Sequence, residues 1–153
     1  MCITANRILV QEAVYDDHLE RLVAGVTRLK VGAGVEPEVK VGPLIDEPAL
    51  AKVERHVADA VDRGAELHLG GERHDLGRTF FQPTVLTGIT SAMAISFEET
   101  FGPVAAIARF STEEEVVRIA NDTPYGLSAY FYSRDVGRIW RVSEALDLRD
   151  RRH

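Results

Sequence analysis

Apolar residues recur at helical spacing in two long stretches of the first half of the chain. The first stretch predicts an amphipathic helix from about residue 14 to residue 30. The second predicts a helix over roughly 47–63, because Asp46 suits the N-cap position and Pro48 suits the first turn. The apolar face of this second helix is predicted to comprise Leu50, Val53, Val57, Ala60 and Val61.

Two further helices are predicted in the second half. Ser111 and Glu114 have the spacing of a capping box, which indicates a helix that begins there and ends near Asn121. A last helix is predicted from about Asp135 to Leu146. The chain is therefore expected to contain four amphipathic helices.

Short runs of β-favouring residues, bounded by glycine or proline, predict strands between these helices. The runs are residues 3–11, 65–69, 83–86 and 104–110, together with the alternating Leu127, Ala129 and Phe131. Residues 31–46 hold three glycines and two prolines and are predicted to form a surface excursion without regular structure. Strands that alternate with amphipathic helices favour an α/β layered domain with a mostly parallel sheet.

The composition narrows the classes of partner. A chain of 153 residues has the length of one domain. Its formal net charge of -6 supplies no basic field for nucleic acid or for an anionic membrane surface. The sequence has neither an apolar run near the roughly 18 residues of a spanning helix nor the layout of a signal peptide. We therefore expect a cytoplasmic protein that binds a small molecule, with no nucleic acid and no membrane partner.

Cys2 is the only cysteine, so an internal disulfide is excluded. The five histidines show no ligand spacing with Cys2 or with one another, so no metal site is expected. A single cysteine is most often a buried structural residue, and the alternative is a catalytic nucleophile. The residues by themselves leave both interpretations of Cys2 open.

The stretch "FEETFGPV" at 97–104 places two carboxylates beside an aromatic residue, directly before a predicted strand. Acidic side chains at the end of a sheet can accept hydrogen bonds from vicinal sugar hydroxyls. The alternative is an acidic turn that is simply solvated, and physical chemistry alone favours that alternative.

Several ordered motifs together resemble one family. The stretches "CITANR", "VGPLID", "FFQPTVL", "EETFGPVAAI" and "NDTPYGLSAYFYSRD" are similar to the NAD(P)-dependent aldehyde dehydrogenase superfamily, and "VGPLIDEPALAKVERHVADAVDRGAEL" most resembles the succinate-semialdehyde dehydrogenase branch. The resemblance covers residues 2 to about 147. It implies that 1–147 form part of the layered catalytic domain of that family, truncated at both ends, and that 148–153 are a charged tail foreign to it.

The resemblance also implies roles for three residues. Cys2 matches the family's nucleophile, which attacks the carbonyl of a small-molecule aldehyde. Glu99 matches the acid that binds the nicotinamide ribose hydroxyls of NAD or NADP, and Phe101 matches the aromatic residue beside the nicotinamide. In the family, the cofactor domain, the general-base glutamate and an oxyanion-hole asparagine precede the cysteine, and none of them is found in this sequence.

An oxidoreductase that is inactive as an isolated fragment is therefore the leading expectation. Members of the family are homo-oligomers, and their oligomerising tail is also expected to be missing here. Two alternatives stay open: a non-catalytic module that docks on an intact or split dehydrogenase, and a degenerate gene product without function. The charged stretch "DLRDRRH" would fit a shift into another reading frame.

Overall fold

A computed structural model describes residues 5–147 of the chain. These residues form two compact units, of which the larger comprises 6–109 and the smaller includes 110–147. The secondary structure elements are β1 (Ile8–Gln11), α1 (Tyr15–Thr27), β2 (Lys30–Val31), β3 (Val39–Val41), α2 (Glu47–Asp62), β4 (Glu66–Leu69), β5 (Thr84–Thr87), β6 (Val104–Phe110), α3 (Glu113–Asn121) and α4 (Val136–Ala145). The four predicted helices are therefore confirmed, with small changes at their ends.

A four-stranded sheet in the order β1-β6-β5-β4 organises the larger unit. Strands β5 and β6 run parallel, with Thr84 opposite Val104, whereas β4 joins β5 in an antiparallel pair. A second, two-stranded sheet pairs β2 with β3 in parallel. The predicted α/β fold with a mostly parallel sheet is confirmed.

Helix α2 contributes four of the ten buried residues of one hydrophobic core. Its first turn is capped as predicted, because the carboxylate of Asp46 accepts a 2.8 Å hydrogen bond from the Ala49 amide. The buried face of the helix consists of Leu50, Val53, His56, Val57 and Ala60. Val61, which was predicted on this face, is 42% exposed, so the apolar stripe ends at Ala60, one residue earlier than expected.

A second core lies between helix α1 and the sheet. Its buried members are Val10, Tyr15, Val85 and Ile107, and four half-buried residues of α1 pack against them. The guanidinium of Arg109 lies 4.0 Å from the centre of the Tyr15 ring, a cation–π contact at the edge of this core. The sheet is therefore bordered by two separate apolar clusters.

The predicted surface excursion at 31–46 was wrong in part, because β2 and β3 pair within it. Two strands of two and three residues are too short to leave an alternating pattern.

The predicted strand at Leu127, Ala129 and Phe131 was also wrong: the structure has no strand there. Alternation of apolar and polar residues indicates only which side chains could share one face of a strand. A strand also needs an adjacent strand whose backbone can hydrogen-bond to it.

The predicted capping box was wrong by one residue. Thr112, not Ser111, is the N-cap of α3, and its hydroxyl accepts a 3.2 Å bond from the Glu115 amide. The Glu115 carboxylate in turn accepts a 2.8 Å bond from the Ser111 amide. Both serine and threonine can cap a helix, so the sequence alone does not show which of two adjacent hydroxyl residues is the N-cap.

Within the smaller unit, one carboxylate joins α3 to α4. Glu113 accepts bonds of 2.8 and 2.9 Å from Arg141 and one of 3.2 Å from Arg138.

The charged tail predicted at 148–153 lies outside the described residues. Within residues 5–147, none of the helices has both the length and the hydropathy of a membrane-spanning segment.

Replacing Asp46 with alanine should lower the free energy of unfolding by about 1 kcal/mol, because an N-cap acceptor is lost. Asp62→Ala is the matched control, because it removes the same charge at the other end of α2, where a carboxylate opposes the helix dipole. Urea denaturation of the purified chain measures both. Equal losses in the two variants would contradict the capping role of Asp46.

Candidate active-site segment

The segment 94–103 leads into strand β6 and contains two of the three predicted site residues. Glu99 is half-buried, and the side chain of Phe101 is 63% exposed. The Pro103 carbonyl accepts a 2.8 Å bond from the Thr84 amide of β5, which fixes the end of the segment to the sheet. The structure therefore places Glu99 and Phe101 in one loop, whereas Cys2 lies outside the described residues.

Helix α2 contacts this segment at three positions spaced three residues apart. The Asp59 carboxylate accepts a 2.7 Å bond from the Ala94 amide, and His56 bonds to Glu98 and Thr100. Positions three apart lie on one face of a helix. The segment thus runs along α2 in the opposite direction to the helix and is tied to it at its start and in its middle.

The third position on α2 is Val53, which faces Gly102. A Cβ atom built on Gly102 would lie 2.5 Å from a methyl carbon of Val53, far inside van der Waals contact. Val53 is fully buried, so it has little room to move away. Glycine is therefore required at 102 by the close approach of the backbone to the helix.

His56 is the one fully buried histidine within 5–147. Its Nδ1 lies 2.6 Å from the Thr100 hydroxyl oxygen, and its Nε2 lies 3.1 Å from a carboxylate oxygen of Glu98. Both ring nitrogens are therefore directed at the segment that holds Glu99. A buried imidazole needs this pairing, because burial of an unpaired polar group is costly.

The segment is also held from a second side by Asn6. The Asn6 side-chain carbonyl accepts a 2.7 Å bond from the Thr100 amide, and its amide nitrogen donates to the Glu98 carbonyl at 3.2 Å. Residues 98 and 100 are thus bonded through both their side chains and their backbone. Such double anchoring is what a loop needs to present a neighbouring side chain in a fixed position.

Glu98 is surrounded by positive charge. Its pKa is lowered, first by the hydrogen bond from His56 and then by Lys52 and Arg55, whose side-chain nitrogens lie 3.8 and 3.5 Å away. Burial lowers the pKa of His56, although the carboxylate of Glu98 acts in the opposite direction. Glu98 is therefore ionised and His56 neutral near pH 7.

Sequence reasoning missed the contribution of His56 and Asn6. The one available signal for His56 was its place among the apolar residues of α2, where a polar side chain must find a partner. Asn6 belongs to the "CITANR" motif, but nothing in the motif states what its amide contacts. Within residues 5–147 no three His, Cys, Asp or Glu side chains form a group that could hold a metal ion.

The chain belongs to the aldehyde dehydrogenase family, whose sequence model matches residues 1–149. By family it is an oxidoreductase. One relative, 3-sulfolactaldehyde dehydrogenase of Pseudomonas putida, is 54% identical over 146 residues, which cover 95% of this chain and 30% of that protein. Another, succinate-semialdehyde dehydrogenase [NADP(+)] GabD of Escherichia coli, is 50% identical over the same length and coverage.

The fold is similar to that of a solved structure of a related enzyme. The crystal structure of succinate-semialdehyde dehydrogenase from Burkholderia pseudomallei matches with a TM-score of 0.94 and 56% sequence identity. The match covers 95% of this chain and 30% of that protein. This chain therefore spans about 30% of the length of the relatives it matches, and the resemblance read from the sequence motifs is confirmed at the level of the family.

Gly102→Ala should lower the free energy of unfolding by about 1–3 kcal/mol, because the new methyl group overlaps Val53. In a Val53→Ala background the same change should cost much less, since the obstructing methyl groups are gone. Urea denaturation of the four chains in this cycle provides the measurement. Gly34→Ala is the control, because its Cβ would meet nothing within 4 Å. If the losses of unfolding free energy from Gly102→Ala and Val53→Ala simply add, the proposed close packing is contradicted.

Proposed function

We propose that this chain provides the nucleophile and the nicotinamide-side contacts of a dehydrogenase that oxidises a small semialdehyde with NAD or NADP. The observation that carries the proposal is the segment 97–103. It presents a carboxylate, Glu99, and an aromatic ring, Phe101, from a backbone that α2 and Asn6 hold in place. This segment occurs in a chain that is 50% identical to the E. coli NADP(+) enzyme.

The accessible side chains of the segment, Glu99 and Phe101, are suited to contact a nicotinamide nucleotide. Glu99 is accessible enough to accept hydrogen bonds from vicinal ribose hydroxyls, and the largely exposed ring of Phe101 offers a flat surface for a nicotinamide. When bound, the nucleotide supplies the acceptor for a hydride. NAD and NADP differ in groups remote from these two side chains, so the segment serves either.

In the proposed reaction the thiolate of Cys2 forms a bond to the aldehyde carbon, and the backbone amide of Cys2 donates to the resulting oxyanion. Loss of hydride from the thiohemiacetal leaves a thioester on sulfur. Water then cleaves the thioester to release the acid and restore the thiol. The aldehyde is oxidised by two electrons, and the nicotinamide is reduced by the same two.

The names of the two relatives support one substrate class. Succinate semialdehyde carries a carboxylate at the end opposite its aldehyde, and 3-sulfolactaldehyde carries a sulfonate there. We therefore propose a short aldehyde with an anionic far end, such as succinate semialdehyde. A cytoplasmic location remains a prediction of the sequence, as does the absence of the tail through which members of the family form homo-oligomers.

The family resemblance implies that the general base and most of the cofactor site of such a catalyst lie outside the 146 residues shared with the E. coli relative. A missing general base typically costs about 10²- to 10⁴-fold in rate, and a missing cofactor site removes the hydride acceptor itself. The 153 residues by themselves are therefore proposed to be inactive. A complementing role is the second candidate function, because Leu127 and Tyr132 are 70% and 96% exposed, as expected of a surface that another polypeptide covers.

The purified chain, mixed with succinate semialdehyde and NAD or NADP, should produce no reduced nucleotide, measured by its ultraviolet absorbance. Clear turnover would contradict the proposed inactivity. Adding the separately expressed remainder of the E. coli relative tests the complementing role, which requires activity that neither polypeptide shows alone. Albumin at the same concentration serves as the control for non-specific stabilisation.

A chimera tests the three site residues. In it the 146 matching residues of this chain replace those of the E. coli enzyme, and we expect aldehyde-dependent reduction of NADP. Cys2→Ser should reduce kcat by more than roughly 10³-fold, because the nucleophile is lost. Glu99→Gln should reduce kcat/KM for the nucleotide by about 10- to 100-fold, the cost of about 1.5–3 kcal/mol expected for a hydrogen bond to a charged group.

Phe101→Ala should also weaken nucleotide use in the chimera, and Phe97→Ala is its matched control. Phe97 is an exposed aromatic residue of the same loop, at 49% exposure, with no proposed role. An active Cys2→Ser chimera, or equal effects at 97 and 101, would refute the assignments.

A further inference from the structure

We propose that His56 is a positioning residue, which holds the 98–100 backbone so that Glu99 is presented to the nicotinamide ribose. This inference rests on the proposed function of Glu99. It concerns a side chain that touches neither substrate nor cofactor and that acts through the loop it binds. The geometry that supports it lies wholly within the unit formed by residues 6–109.

The first argument is the alternation of side chains along the loop. Glu98 and Thr100 both bond to one imidazole ring. Side chains two residues apart share a face where the chain is extended, and Glu98 and Thr100 both face the ring. We therefore infer that the intervening Glu99 is directed away from the helix.

The second argument is that the bonds fix the tautomer of His56 and therefore its direction. The ionised carboxylate of Glu98 can only accept, so Nε2 carries the proton and donates to it. Nδ1 then accepts the proton of the Thr100 hydroxyl. The ring distinguishes its two neighbours, and a half-turn about its Cβ–Cγ bond would put C–H groups in the places of both nitrogens, so that both hydrogen bonds would be lost.

The third argument is that the ring has no alternative partner in solvent. His56 is 0% exposed, whereas Glu98 retains 41% side-chain exposure and could otherwise be satisfied by water, Lys52 or Arg55. The helix core therefore fixes the position of the imidazole, and the imidazole selects one position of the loop. Shifts of about 1 Å at a binding group are enough to lose catalytic efficiency.

The test compares three variants on α2. His56→Leu removes both hydrogen bonds, whereas His56→Gln retains a side-chain donor for Glu98. Val57→Ala is the stability control, because Val57 is buried in the same core one residue further along the helix. Hydrogen exchange of the full 153-residue chain should show faster exchange at residues 98–103 in His56→Leu, by about tenfold, less in His56→Gln, and no selective change in Val57→Ala.

The functional arm uses the chimera, because the chain spans about 30% of the length of its relatives. His56→Leu should raise KM for NADP by about tenfold while kcat at saturating nucleotide changes by less than about threefold, and His56→Gln should restore most of the affinity. In a Glu99→Gln background the effect of His56→Leu should vanish, since the residue acts through Glu99.

Three results would overturn the inference: unchanged KM in His56→Leu, an equal rise in Val57→Ala, or full additivity with Glu99→Gln. All three measurements need an active chimera, so an inactive wild-type chimera refutes the proposed function instead. In that case the exchange rates at 98–103 alone decide whether His56 holds the segment. If His56→Leu does not fold, hydrogen exchange at 98–103 and KM for NADP are both measured on His56→Gln.

Discussion

A single buried imidazole joins the core of the larger unit to the loop that carries the proposed cofactor contacts. Helix α2 packs one face into the core, and His56 lies on that face among residues such as Leu50, Val53 and Val57. Because the apolar face fixes the rotation of the helix, it also fixes where position 56 is directed. The loop must then bring Glu98 and Thr100 to the ring, or a buried polar group would stay unpaired.

The same helix face determines the shape of the whole loop. Asp59 holds its beginning at Ala94, and Val53 leaves room only for glycine at 102. The loop is thus positioned by a carboxylate, an imidazole and a methyl group at regular intervals along α2. Hydrogen bonds and packing act together here, so the position of Glu99 follows from a rigid element and not from the loop itself.

The helices were the most predictable part of this structure, for a physical reason. The 3.6-residue spacing of apolar side chains in a helix can be recognised in a short stretch of sequence. An N-cap such as Asp46 can likewise be recognised from the four residues that begin the helix. The errors arose where two local solutions compete or where pairing is needed. Thr112 rather than Ser111 caps α3, the two shortest strands left no pattern, and the residues 127–131 alternate without forming a strand.

The sequence by itself determined the family, the four helices and the candidate residues Glu99 and Phe101, because each is written in a contiguous motif. Only the tertiary structure decided what holds those residues. His56 lies 42 and 44 positions from Glu98 and Thr100, and Asn6 lies 92 and 94 positions from them. Such contacts depend on which helix face meets which loop, and that is settled by packing of the whole core, which no local pattern encodes.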